Sequence, residues 1–310
     1  MDNPLLAEWE TPFGLPPYER IRDEDFPPAL EAALREASAE IEAIASNPAP
    51  PDFANTIEAL ELAGATLDHV AAVFHGLASA DSNPAKEAIQ RDFAPRLAAH
   101  AAAVSTDPRL HARVEALWDR REALGLDEEA ERVLFLWRRM FRRSGAGLGA
   151  AARKRLAEIA SALAALQTRF AQNVLADERD GLLELSAEDV ASLPEALRPS
   201  LAAVATAAGR AGHAVTRSRA VVIPILELCP DRGLRERVWR FWMERGLASG
   251  DNRAIAAEIL KLREERAGIL GYPDHATYRT EPEMAGTPAA VGALLDAVWA
   301  PAVDRCARDA

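Results

Sequence analysis

The sequence predicts a mainly α-helical fold: long antiparallel helices in a bundle-like lobe with one small β hairpin. Three observations carry that expectation. Alanine, the strongest helix former, supplies much of an apolar content of 49%, while aromatic residues are only 6%. Apolar residues recur at spacings of three and four over most of the chain. Several of these runs open on a capping side chain followed by proline, as at Asn83-Pro84, Asp107-Pro108 and Thr287-Pro288.

In chain order, the first 25 residues are irregular. NPLL, TPFGLPPYERI and Pro27-Pro28 restrict backbone angles and remove donors, so this arm runs extended over a surface. Helical pattern starts at Pro28 and continues to a Pro-rich turn, PAPPDF. A second helix, ANTIEALELAGATLDHVAAVFHGLASA, has Asn55 as a cap and Glu58 placed to reach back to it. In DEEAERVLFLWRRMFRR, Val133, Leu136 or Trp137, Met140 and Phe141 share one face and the arginines the other. The longest run places apolar residues at 148, 152, 156, 159, 163, 166, 170 and 174, the stripe of a long bundle helix. Between 181 and 230, GLLELS and HAVTRSRAVVIPIL alternate and carry β-branched residues, which predicts the hairpin. Helices resume at DRGLRERVWRFWMERG, NRAIAAEILKLREERAGIL and TPAAVGALLDAVWAPAVDRCARDA. These shifts divide the chain into an amino-terminal helical lobe with its arm (1–180), a small α/β connection (181–230) and the start of a second helical region (231–310). The last helix runs to CARDA without a Gly cap and without a partner for its stripe of Val291, Leu294, Leu295, Val298 and Val303, which reads as a chain cut short.

The bulk properties exclude some functions. At 310 residues and 27% charged residues, the composition is that of a globular protein. A formal charge of −12 argues against nucleic acid, whose phosphates require a basic face. No apolar run of about 18 residues exists, so no membrane span is expected. Cys229 and Cys306 form no C-x-x-C pair, and a reduced, cytoplasmic setting is the economical expectation.

Catalytic chemistry is hard to place from the residues. None of His69, His75, His100, His111, His213 and His275 is followed by Glu, so H-E-x-x-H is absent. His69 and His75, six apart on one helix, point nearly opposite ways and do not converge on a metal. SGAGLG at 144–149 lacks the Lys-Ser/Thr ending of a phosphate loop and follows a helix, so it reads as a helix–helix connection. GLASG at 246–250 has the wrong spacing for a serine nucleophile elbow. Cys229 precedes Pro230 without a neighbouring His and reads as a buried thiol. The pairs Glu128-Glu129 and Glu264-Glu265 read as solvated helix faces. In LREERAGILGYPDHATY (262–278), ionisable groups crowd around Gly271. There Arg263, Glu264 and Arg266 are expected on the solvated side of a helix whose apolar face is Leu262, Ile269 and Leu270. Tyr272 and Tyr278 read as packing groups, and His275 has no companion ligand. No catalytic, cofactor-binding or metal-binding residue is assigned.

A family resemblance runs through weak motifs in a fixed order. NPLL, PFGLPPYERI, NPAPPDFANTIEALELAG, APRLAAH, RRSGAGL, DRGLRE, DNRAIAAEIL, LREERAGILGYPDHATY and MAGTPAAV together resemble the amino-terminal half of the thimet-oligopeptidase-type zinc metallopeptidases. The peptidyl-dipeptidase (dipeptidyl carboxypeptidase) branch is the most similar and oligopeptidase A the next. Asp25, where many relatives have His, and RTEPEM at 279–284 depart from the pattern. The resemblance implies one half of a two-lobed fold enclosing a substrate channel for short peptides. It also implies that the zinc ligands, two His of H-E-x-x-H and a later Glu, belong to a carboxy-terminal half that this chain lacks. No residue here then binds the metal, and the chain is expected to be inactive alone. Its partners would be the missing catalytic half and, in the whole enzyme, short peptides. The alternatives are a self-sufficient helical binding module, a fragment of an oligopeptidase A-like endopeptidase, and an unrelated site on His69, His75 or Cys229.

Overall fold

A computed structural model gives the fold and describes residues 3–247 and 250–309. It is mainly α-helical with one small antiparallel β pair. The chain forms two compact units, residues 1–153 and 154–310, and the boundary falls near the start of a long helix.

The first unit contains α1 (Phe26–Ala45), α2 (Ala59–Leu62), α3 (Ala65–Ala80), α4 (Pro84–Thr106), α5 (Pro108–Trp118) and α6 (Glu128–Ser144). Phe26, Leu30 and Ala33 of α1 bury against Val70 and Phe74 of α3 and Phe93 of α4, with Phe26 and Phe74 in edge contact at 5.2 Å. Each such aromatic contributes about 1.5–3 kcal/mol by leaving water. Leu5 and Ile21 join this core. The arm is therefore pinned, and it consists of turns and short 3-10 segments rather than a continuous extension. A second core gathers Ile57, Leu60, Leu110, Val114, Leu117, Leu134 and Phe141. On α6, Trp137 packs against that core and Leu136 is exposed, which resolves the choice between them.

Two expectations about this unit need correction. The helix expected from Ala54 to Ala80 breaks at Gly64, whose φ of +83° is a left-handed conformation suited to glycine. Its cap is Asp52, not Asn55. Asp52 Oδ1 accepts the Asn55 N–H at 2.6 Å while Asn55 Oδ1 accepts the Asp52 N–H at 3.0 Å, over a wide π-type first turn. Asn55 is thus the returning partner of the capping box, a role sequence spacing gave to Glu58. The Asn83 and Asp107 caps form as expected, accepting from Lys86 N at 2.8 Å and Arg109 N at 2.7 Å.

The second unit is built on α7 (Ala150–Asp180), about 46 Å long at 1.5 Å per residue. It is followed by β1 (Leu182–Leu185), α8 (Ala187–Ser192), α9 (Arg198–Ala207), β2 (His213–Thr216), α10 (Arg219–Leu228), α11 (Arg232–Met243), α12 (Asn252–Ile269), α13 (His275–Thr280) and α14 (Pro288–Asp309). Leu182 pairs with Thr216 and Leu185 with His213, with α8 and α9 lying between the two strands in sequence. The strand character expected through HAVTRSRAVVIPIL ends at Thr216. RAVVIPIL is helix α10, because Val222 and Ile225, three apart, bury with Cys229 into one core. Tertiary packing here overrides β-branched propensity and the interior Pro224.

A buried polar junction ties α7 to the elements after it. Asp177, fully buried, accepts the Gly246 N–H at 2.6 Å. Arg217, 6% exposed, donates from Nε to the Phe241 carbonyl at 2.9 Å. Asn173 donates to Asn252 at 2.8 Å, and Asn252 to the Phe170 carbonyl at 3.1 Å. Gly181 lies where any side chain would overlap the Arg217 guanidinium and the Asp177 carbonyl.

Candidate functional site

A polar concavity of the second unit is assembled by α7, α12 and α13. Asp251 caps α12, accepting the Arg253 N–H at 2.9 Å. Ile255, Ile259 and Leu262 then form a stripe that buries against Ile159 and Leu163 of α7. Arg155 fixes the pairing of the two helices with two bonds to Glu265, at 2.6 and 2.8 Å. This fork holds the Glu265 carboxyl below its ordinary range, mainly through the Arg155 hydrogen bond. Helical spacing places Arg263 and Arg266, three apart, along the edge of the buried stripe.

Gly271 turns the chain back. Its φ is +82°, and the Tyr272 N–H reaches the Ala267 carbonyl at 2.9 Å, closing α12 as the sequence predicts. Asp274 caps α13 by accepting the Thr277 N–H at 2.7 Å, which puts His275 at its first position and Arg279 one turn later. The result is a cavity of about 460 Å³ lined by Leu163, Gln167, Arg263, Arg266, His275 and Arg279. A second, apolar cavity of about 340 Å³, lined by Phe170, Ile259 and Leu260, shares Gln167 and Arg263 with the first.

The electrostatics of this pocket run against the charge of the chain. Arg279 is engaged by Glu283 at 3.5 Å, and Arg266 lies over the Tyr278 ring at 5.0 Å. Among the described residues no carboxylate pairs with Arg263 or Arg266. The His275 imidazole titrates below its ordinary value because burial disfavours the charged form and Arg263, Arg266 and Arg279 repel it, with Asp274 opposing. Arg266 Nε and His275 Nδ1 are buried without a hydrogen-bond partner among the described residues. A buried polar atom left so costs about 1–3 kcal/mol. Arg263 and Arg266 are thus half-buried wall residues, not part of a solvated face. His275 has cationic neighbours, which linear spacing could not show. Tyr272 and Tyr278 pack edge-on at 5.2 Å, as expected of packing groups.

The other candidates lie apart. His69 sits 6.0 Å from the Trp9 ring, and His75 meets Phe74 edge-on at 5.5 Å. His100 Nδ1 contacts Ser38 Oγ at 3.2 Å. His111 approaches Glu115 at 3.5 Å, and a Cβ on Gly147 would come within 2.7 Å of it. His213 is the β2 partner of Leu185. SGAGLG is the α6–α7 turn, with Gly145 at φ +79°. Cys229 is buried beside Ser192 Oγ at 3.9 Å, and Cys306 is exposed. Within GLASG, Ala248 and Ser249 lie outside the described residues. No group of three or more His, Cys, Asp or Glu among the described residues could hold a metal ion, so these side chains do not fit a zinc centre. Nor, among the described residues, is any helix long and apolar enough to cross a membrane.

Comparison with known proteins places this architecture. Residues 225–309, which contain the arginine cavity's α12 and α13, match the profile of peptidase family M3. The chain is 33% identical over 98% of its length to a dipeptidyl carboxypeptidase of Salmonella typhimurium, and covers 45% of that protein. It is 32% identical over 93% of its length to the dipeptidyl carboxypeptidase of Escherichia coli, covering 43%. With oligopeptidase A of Salmonella typhimurium it shares 28% identity over 93% of its length, again covering 43%. The chain thus spans less than half the length of the curated relatives it matches. The ordered motifs and these alignments agree: residues 225–309 match peptidase family M3, and nearly the whole chain is similar to part of its dipeptidyl carboxypeptidase and oligopeptidase A relatives.

Proposed function

We propose that this chain forms part of the substrate-channel wall of an M3 zinc peptidase that hydrolyses short peptides, and that it has no hydrolytic activity alone. The observation carrying the reading is a mismatch. Nearly the whole chain aligns with dipeptidyl carboxypeptidases, yet it contains no H-E-x-x-H and, among its described residues, no three-donor cluster. Release of dipeptides from the carboxyl end is the proposed mode, after the names of those relatives. Internal cleavage is the alternative suggested by the oligopeptidase A matches. In the proposed division, 1–180 is the wall lobe, 181–230 a connection and 231–310 the lead into a catalytic half carried by another chain or segment, in the cytoplasm. The exposed apolar side chains Leu294, Leu295, Val298 and Trp299 on α14 support a face that another segment covers.

Incubating the purified chain with zinc and short blocked peptides tests this reading. No cleavage is expected, and chelator-sensitive cleavage would overturn it. A self-sufficient binding module is the second reading. It is favoured by the separate buried cores within each unit. It requires a monomer by size-exclusion chromatography with a cooperative melt and little dye binding, whereas the wall reading expects dye binding or self-association.

A further inference from the structure

The arginine cavity gathers Arg263, Arg266, Arg279 and His275 on one wall. Several arginines outside it meet carboxylates closely: Arg109 with Glu42 at 2.8 Å, Arg138 with Glu115 at 3.0 Å, Arg155 with Glu265 at 2.6 Å and Arg237 with Asp189 at 2.6 Å. With 48 acidic residues against 36 basic ones, carboxylates are in surplus. Two half-buried guanidiniums nevertheless share a cavity wall with Arg279 and His275, and among the described residues no carboxylate pairs with Arg263 or Arg266. Like charges gathered in a partly desolvated space repel, and such an arrangement is relieved by an anion between them. The buried, unpartnered Arg266 Nε and His275 Nδ1 point to the same need. The charged groups around the imidazole are Arg263 and Arg266 on α12, Asp274 and Arg279 on and beside α13, with Glu283 beyond Arg279. The facing α7 wall contributes only Ala160, Leu163, Ala164 and Gln167.

We propose that this cavity binds a small oxyanion, a carboxylate or phosphate, held by Arg263 and Arg266 and carrying an apolar body into the adjoining groove of Phe170, Ile259 and Leu260. A forked guanidinium presents parallel N–H donors that match two oxygens of either head group. The cavity is larger than an acetate requires, and its shared border at Gln167 and Arg263 opens onto apolar wall. The assignment is independent of the peptidase reading, since neither a peptide nor zinc enters it.

Isothermal titration of the full chain with phenylacetate, phenyl phosphate, acetate and inorganic phosphate tests the site. One of the two aryl anions is expected to bind saturably, about tenfold or more tighter than the same head group without the ring. Which aryl anion wins identifies the head group. Arg266→Gln and Arg263→Gln should each weaken binding about tenfold, the loss expected for a charge-assisted pair. Arg240→Gln, whose guanidinium pairs with Glu236 on α11 and lines neither cavity, should leave it unchanged. If Arg266→Gln fails to fold by circular dichroism, Arg263→Gln at the junction of the two cavities carries the test. Absence of saturable binding up to about 20 mM, or equal affinity in both cavity variants and the parent, overturns the proposal. Ring-independent binding overturns the apolar half of it.

Discussion

His275 shows how much of a side chain's behaviour is set by neighbours that sequence order does not display. Its ordinary value, near 6.5, is lowered by burial first and then by Arg263, Arg266 and Arg279. The folded protein therefore holds the proton less well than the unfolded chain. Stability from this group is fully present above about pH 6.5 and is lost as pH falls from there through the lower folded value. His275→Gln, which stays neutral, should flatten the decline of melting temperature between pH 7 and pH 5; an unchanged slope would refute the assignment. An anion in the cavity should raise the folded value, and imidazole NMR titration with and without phenyl phosphate reads that shift directly. From sequence, residues 262–278 showed a density of ionisable groups and nothing of their grouping. The helix that carries Arg263 and Arg266 was legible. The turn at Gly271 that brings His275 and Arg279 back beside them was legible only as a stop, because its direction depends on the packing of α13 against α12, where Arg266 lies over the Tyr278 ring.

Elements were readable to the extent that local chemistry defines them. Caps at Asn83, Asp107 and Thr287 formed where a short polar side chain precedes proline, since both the acceptor and the fixed φ are intrinsic to those residues. The break at Gly64 was missed because a left-handed turn is open to any glycine but required of none, and the helix at Arg219–Leu228 because tertiary burial decides it. The junction around Asp177 was invisible in sequence for a similar reason: an aspartate within a long amphipathic helix ordinarily faces water. Its role predicts unequal tolerance. Gly181→Ala forces a methyl into the Arg217 guanidinium and the Asp177 carbonyl and should cost about 1–3 kcal/mol. Asp177→Ala strips the buried Gly246 N–H of its acceptor and should cost about 2–4 kcal/mol. Gly149→Ala, with open space where the methyl goes, should be close to neutral. Urea melts of the three variants check the order; a neutral Gly181→Ala would show that the junction yields freely.

For the whole molecule, the resemblance to peptidase family M3 was legible because nine weak motifs fall in one order, although each is only a cap or a turn. Peptidase chemistry was not, because no cluster of catalytic side chains stands in the sequence and, among the described residues, none is assembled by the fold. What the fold does expose is an apolar surface on its last helix. Helix α14 has no buried residue, and Leu294, Leu295 and Trp299 are 66, 62 and 72% exposed. Side chains that contact so little contribute little to folding, while together they form the apolar patch that drives dye binding and self-association. Replacing Leu295 and Trp299 together with Glu should therefore change stability by no more than about 0.5 kcal/mol. The same change should lower fluorescence of a bound hydrophobic dye and shift size-exclusion elution toward monomer. A large drop in melting temperature would instead mean that α14 already rests on this chain's own core, and the channel-wall reading would lose its exposed face.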